Sequence, residues 1–80
     1  MTTNIKPDIK YFYEQRILIG KNIRKLREKK GYSQDDLAVL MDINRSTISK
    51  IENGRFAMSI DYLVKFSWHL EFDIIIKDKI

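Results

Sequence analysis

The chain has no cysteine, one proline, one histidine and three glycines in 80 residues. Without cysteine there is no disulfide scaffold, no thiol nucleophile and no thiolate zinc site, so a fold this small must hold by helix packing or by oligomerisation. The longest unbroken apolar run, Leu37 to Met41, covers five residues, against about 20 for a membrane-spanning helix. The opening MTTNIKPDIK lacks the apolar stretch of a secretory signal. These absences lead to the expectation of a soluble, uncleaved, cytoplasmic protein with no membrane partner. A composition 44% hydrophobic and 32% charged excludes a disordered tail. The length leaves room for one domain, residues 1–80.

Catalytic chemistry is equally short of material. His69 has no second histidine and no metal-ligand spacing around it, so no metal, cofactor or catalytic residue is expected. Asp35 and Asp36 are neighbours at a predicted helix start, where they face different directions and serve the cap and the helix dipole. No glycine-rich loop is present to cradle a nucleotide phosphate. The sequence reads as that of a non-enzyme.

What the chain does have is positive charge, and it is local. The net charge is +4, yet Lys21, Arg24, Lys25, Arg27, Lys29 and Lys30 set six basic residues against the single acid Glu28 within ten positions. Cations also gather at the end of a helix to complement its dipole. The density here points further, to a phosphate-facing surface.

Gly31, Gly54 and the Asp42/Asn44 pair separate segments with helical spacing of apolar residues. The first carries Ile9, Phe12, Ile19, Ile23 and Leu26 on one stripe, with Pro7 suited to the first turn. It reads either as one helix from about Pro7 to Lys30 or as two pieces broken near Gly20, since Gly20 weakens a helix interior and Arg16 interrupts the stripe. Gly31 supplies a left-handed stop. Three further starts share one device, a Ser or Asn cap between two apolar residues that staple across it. The caps are Ser33, Asn44 and Ser59, and the staples are Tyr32 with Leu37, Ile43 with Ile48 and Met58 with Leu63. Asp36 completes a capping box with Ser33. The second helix then runs from about Gln34 to Met41 and the third from about Arg45 to Asn53. A fourth runs from Ile60 to about Leu70, with an expected inward stripe of Ile60, Leu63, Val64 and Leu70.

The tail changes character. Phe72, Ile74 and Ile76 alternate with Asp73, Ile75 and Lys77 in a β-branched run that predicts a short C-terminal strand over 71–80. Its partner is either a second copy across a two-fold axis, which makes Phe72, Ile74, Ile75 and Ile76 a dimerisation element, or Thr2 to Ile5 of the same chain.

On the third helix a 100° step puts Ile48 and Ile51 on the inner face and Ser46, Ser49, Lys50 and Asn53 on the opposite one, with Arg45 at the leading end. That outer face holds donors and small hydroxyls and no large apolar group, an inventory that meets base edges and phosphates in a major groove. An ordinary solvated helix face would share these residues singly. The arrangement raises the functional reading: a short helix, a three-residue turn and this helix, beside a strongly basic first helix.

These residues carry a resemblance. Gly31-Tyr-Ser33-Gln34-x-x-Leu37-Ala38, followed by Ile43-Asn44-Arg45-Ser46-x-Ile48-Ser49-x-Ile51-Glu52-Asn53-Gly54, closely resembles the Cro and phage-repressor (XRE-like) helix-turn-helix family. The resemblance spans roughly 19–70, leaving 1–18 as an extension of the first helix. It implies a mainly α, lambda-repressor-like bundle of about five helices, to which the tail adds its strand. It also implies a homodimeric regulator, most simply a repressor, on a pseudo-palindromic site in double-stranded DNA.

Carried over residue by residue, the resemblance gives Arg45, Ser46, Ser49 and Lys50 to base contact and Gln34, Asn53 and Arg55 to the phosphate backbone. Thr47 lies on the flank, within reach of a phosphate or a thymine methyl. Arg45 has two readings, a guanine edge or a phosphate, and the base edge is preferred. Arg27 and Glu52 stand where the family has a structural ion pair between first and third helices. Asp42 departs from the usual turn glycine but tolerates a left-handed backbone. The domain with a terminal strand also resembles the HipB-type antitoxin, which implies a toxin protein as partner. A reading from another class is a protein-interaction module using the tail and the Tyr11-Phe12-Tyr13 cluster. The aromatic residues Trp68, Phe66, Phe56, Tyr62 and Tyr13 are assigned to core or dimer interface.

Overall fold

The computed structural model of the protein describes residue 6 and residues 8–79, and within them four helices: α1 (Ile9–Lys29), α2 (Gln34–Met41), α3 (Arg45–Glu52) and α4 (Ile60–Leu70). Local chemistry sets their boundaries. Asp8 caps α1 by accepting from the Lys10 amide at 3.0 Å, and Ser59 caps α4 by accepting from the Tyr62 amide at 3.1 Å. At α2 the full capping box forms: the Asp36 amide donates to Ser33 Oγ and the Ser33 amide to Asp36 Oδ2, each at 2.9 Å. Hydrogen bonding from Ser33 to the carboxylate, its backbone amide first and its hydroxyl second, holds the Asp36 carboxyl below its ordinary pKa. Asn44 behaves differently from expectation, since its side chain makes no cap bond at α3.

All four helices stop on a left-handed residue. Gly31 (φ 79°) and Gly54 (φ 72°) do so after α1 and α3, and Asp42 (φ 54°) and Glu71 (φ 57°) after α2 and α4. Each stop returns an amide to the last turn, as in Tyr32 to the Arg27 carbonyl at 3.1 Å and Ile43 to that of Ala38 at 3.0 Å. The side chain of Glu71 accepts from Lys30, which ties the end of α4 to the end of α1 and lowers the Glu71 pKa.

The resemblance implies about five helices, and the described residues hold four. Gly20 does not break α1, because it is a point of contact rather than a hinge: a Cβ there would lie 2.3 Å from the Ile51 carbonyl oxygen. Nor do 72–79 form a strand. A strand needs a ladder partner, and none occurs among the described residues. The tail instead docks Phe72 against the core and runs back along α1, where Lys79 Nζ sits 5.6 Å from the centre of the Tyr11 ring. Pro7 and the alternative strand partner Thr2 to Ile5 lie outside the described residues. No helix among the described residues is long and apolar enough to cross a membrane.

The core is built from Ile23, Leu37, Ala38, Met41, Ile48, Ile51, Phe66 and Leu70, all buried, with the staple residues Tyr32, Ile43, Met58 and Leu63 packed around it. Two stripes need correction. On α1 only Ile23 and Leu26 pack inward, while Ile9 is 80% exposed and Phe12 and Ile19 are also open. At about 1.5 Å per residue α1 is ~32 Å long, and its first turns overhang the other helices. On α4 the inward face is Leu63, Phe66 and Leu70; Ile60 (74% exposed) and Val64 face outward beside Trp68 (79% exposed). In a helix with apolar residues on most of its faces, spacing alone does not select which stripe turns inward.

Candidate nucleic-acid interface

The interface is framed by one buried charge cluster. Arg27 of α1 meets Glu52 of α3 edge-on, with Nε 2.6 Å from Oε2 and the Nη2 nitrogen 3.0 Å from Oε1. Their side chains are 8% and 3% exposed. The remaining Arg27 nitrogen, Nη1, donates to the Tyr32 carbonyl at 2.8 Å, and Gln34 Nε2 donates to Glu52 Oε1 at 3.0 Å. Hydrogen bonding to Glu52 holds the Arg27 pKa above its ordinary value, against the opposing effect of burial. Three elements, α1, the start of α2 and the end of α3, thus share one carboxylate.

This cluster fixes α3 by its inner side. Ile48, Ile51 and Glu52 are buried, while Arg45, Ser46 and Lys50 are exposed and Thr47 and Ser49 half-buried. One face of the helix is therefore spent on anchoring and the other presents hydroxyls, a guanidinium and an ammonium. Asn53 and Arg55 follow on the exposed side, with Asn53 Nδ2 donating to the Ser49 carbonyl at 2.8 Å. Gln34 is half-buried at the leading end of α2, its amide already committed in part to Glu52.

Three residues of this neighbourhood make contacts that the sequence does not show. Asp35 approaches Arg45, with Oδ1 3.5 Å from Nε, and both side chains are exposed. Arg16 donates from Nε to the Gly54 carbonyl at 3.1 Å. Gly20 lets α1 touch the backbone of α3. An arginine interrupting an apolar stripe and a glycine inside a helix were the available signals, and both were visible only as irregularities.

A short helix, a left-handed turn at Asp42 and a second helix displaying a polar face define a helix-turn-helix protein. Comparison with known proteins agrees. A family model described as helix-turn-helix matches residues 23–71, and the chain belongs to that family. It is 41% identical over 58 residues to the HTH-type transcriptional regulator SlrR of Bacillus subtilis, covering 71% of this chain and 38% of SlrR. Over 53 residues it is 40% identical to the control protein C.BamHI of Bacillus amyloliquefaciens, 65% of either chain. Among solved structures it resembles the restriction-modification controller protein C.AhdI of Aeromonas hydrophila, with a TM-score of 0.72 at 31% identity, covering 76% of this chain and 92% of that one. The chain spans between 14 and 65% of the length of the curated relatives it matches.

Proposed function

We propose that the chain is a homodimeric transcriptional regulator that binds double-stranded DNA sequence-specifically by inserting α3 into the major groove. The observation that carries this reading is the division of α3 into a buried anchoring side, clamped through Glu52, and a polar displayed side. Arg45, Ser46, Ser49 and Lys50 are assigned to base edges, where hydroxyls, ammonium and guanidinium discriminate donor and acceptor patterns. Gln34, Thr47, Asn53 and Arg55 are assigned to phosphates, which set register without reading sequence. Its likeness to named regulators and controller proteins supports the reading. No catalytic step is part of it.

Dimerisation is assigned to the exposed tail residues Ile74, Ile75 and Ile76, whereas Phe72 of the expected set packs on the domain's own core. The outward stripe Ile60, Val64 and Trp68 of α4 is added to them, because so much exposed apolar surface on a small domain calls for a covering partner. Two recognition helices roughly 34 Å apart would then engage a pseudo-palindrome, blocking polymerase.

The test is selection of random duplexes by the purified protein, followed by titration of the winner at several salt concentrations. The expected result is an enriched pseudo-palindrome and an affinity that falls by about 0.9 log unit per log unit of salt for each phosphate engaged. A double Ser46→Ala, Lys50→Ala variant that binds the selected duplex as well as the parent would overturn the recognition-helix assignment.

A further inference from the structure

The peptide group joining Gly54 to Arg55 is held at both ends. Its carbonyl oxygen accepts from Arg16 Nε at 3.1 Å, and its N–H donates to the Lys50 carbonyl at 2.8 Å. Gly54 is buried with φ 72°, in the left-handed region where a glycine backbone is least restricted. A turn of this kind needs an external hold if the next side chain is to leave in a fixed direction. The Lys50 contact comes from within α3 itself. The Arg16 contact comes from α1, 38 positions away in sequence.

The surroundings leave this turn no slack toward α1. A Cβ on Gly54 would lie 2.6 Å from Ile17 Cγ1 and 2.9 Å from the Ile17 backbone nitrogen, and a Cβ on Gly20 would lie 2.8 Å from the Glu52 carbonyl oxygen. The end of α3 therefore rests directly on the backbone of α1. Arg16, half-buried at this crossing, also sets a cation against the carbonyl end of α3, which its dipole favours.

We infer that Arg16 is a positioning residue for DNA binding: by pinning the Gly54 carbonyl it orients the peptide plane from which Arg55 departs toward a phosphate. This rests on the reading of Arg55 as a phosphate ligand. In this role Arg16 is a positioning residue and not a DNA ligand, and its effect travels through one peptide group.

The experiment is a cycle of Arg16→Met, Arg55→Ala and the double variant, titrated on the selected duplex over a range of salt, with amide hydrogen exchange on the free proteins. Methionine keeps the apolar stem of Arg16 and removes its donor. Each single variant is expected to weaken binding about tenfold and to lower the salt slope by about 0.9, the value for one phosphate, with no further loss in the double variant. Arg16→Lys, which restores a donor, should recover part of the slope. In Arg16→Met the Arg55 amide should exchange faster while those of Ile48 and Ile51 stay protected. Additive losses in the double variant would overturn the inference, because Arg16 would then act separately from Arg55. An unchanged Arg55 exchange rate in Arg16→Met overturns the inference alone. An unchanged slope in Arg55→Ala overturns the phosphate reading and the inference with it.

Discussion

Gly20 lies so close to Ile51 that a methyl group on the glycine would sit 2.3 Å from the isoleucine carbonyl oxygen. The oxygen belongs to a helix backbone and has no rotamer to escape into. Alanine is a better helix former than glycine by about 1 kcal/mol, yet here Gly20→Ala must push α1 off α3. Net destabilisation of about 1–3 kcal/mol is expected, read from the urea midpoint. Stability equal to the parent would mean that the crossing has room to spare.

The Arg27–Glu52 pair leads to a prediction with two signs. Glu52→Gln leaves a guanidinium buried without its counter-charge and should cost about 3 kcal/mol. Replacing both partners by methionine removes the need for compensation and should cost much less. Denaturant unfolding of the parent and the two variants separates a pair that stabilises from one that only needs matching.

Asp36 has a pKa lowered by hydrogen bonding from Ser33 to its carboxylate, the backbone amide first. A carboxylate depressed in the folded state contributes stability above its unfolded pKa and loses it as pH falls through the lowered folded value. In Asp36→Asn that acid-side decline should therefore shrink, while the parent and Ser33→Ala differ most at neutral pH. Thermal melts between neutral and strongly acid pH measure it.

Arg45 is held 3.5 Å from Asp35 by an exposed pair, worth no more than about 1 kcal/mol. A guanidinium so engaged must leave its partner to reach a base, and the carboxylate also repels phosphate. Asp35→Asn is expected to tighten DNA binding, by up to about fivefold at low salt. Weaker binding in this variant would make Asp35 part of the recognition surface.

Trp68 is 79% exposed on the outward stripe of α4. Trp68→Glu should shift the particle from dimer to monomer by sedimentation and leave the helical circular dichroism unchanged. A persistent dimer would return the whole interface to the tail.

What the sequence revealed and what it hid divide along the range of the forces involved. The Ser33–Asp36 box, the Ser59 cap and the stop at Gly31 are bonds within a few residues, so residue type and spacing carried them. Asn44 has the right type and position for a cap but makes no such bond, because a side chain that can cap also has other rotamers. The inward face of α4 differs from the expected stripe because Ile60, Val64 and Phe66 are all apolar and only tertiary packing decides among them. The Arg27–Glu52 contact was legible through the family resemblance and through nothing local. Arg16 stands in the sequence as a break in an apolar stripe; its acceptor is a backbone carbonyl, and a carbonyl has no letter in the sequence. The tail pattern suited a strand, but a strand is a property of two segments, and alternation describes one.

Within the eight residues of α3, Ile48, Ile51 and Glu52 belong to the interior, and Arg45, Ser46 and Lys50 stand in the open. Exposed positions of this kind usually tolerate replacement within about 0.5 kcal/mol. On the proposed reading of α3 as the recognition helix, its displayed positions form a replaceable cassette. Lineages could trade one DNA preference for another at these positions while the scaffold that carries them stays the same, so that divergence in the sites recognised need not be limited by the stability of the domain.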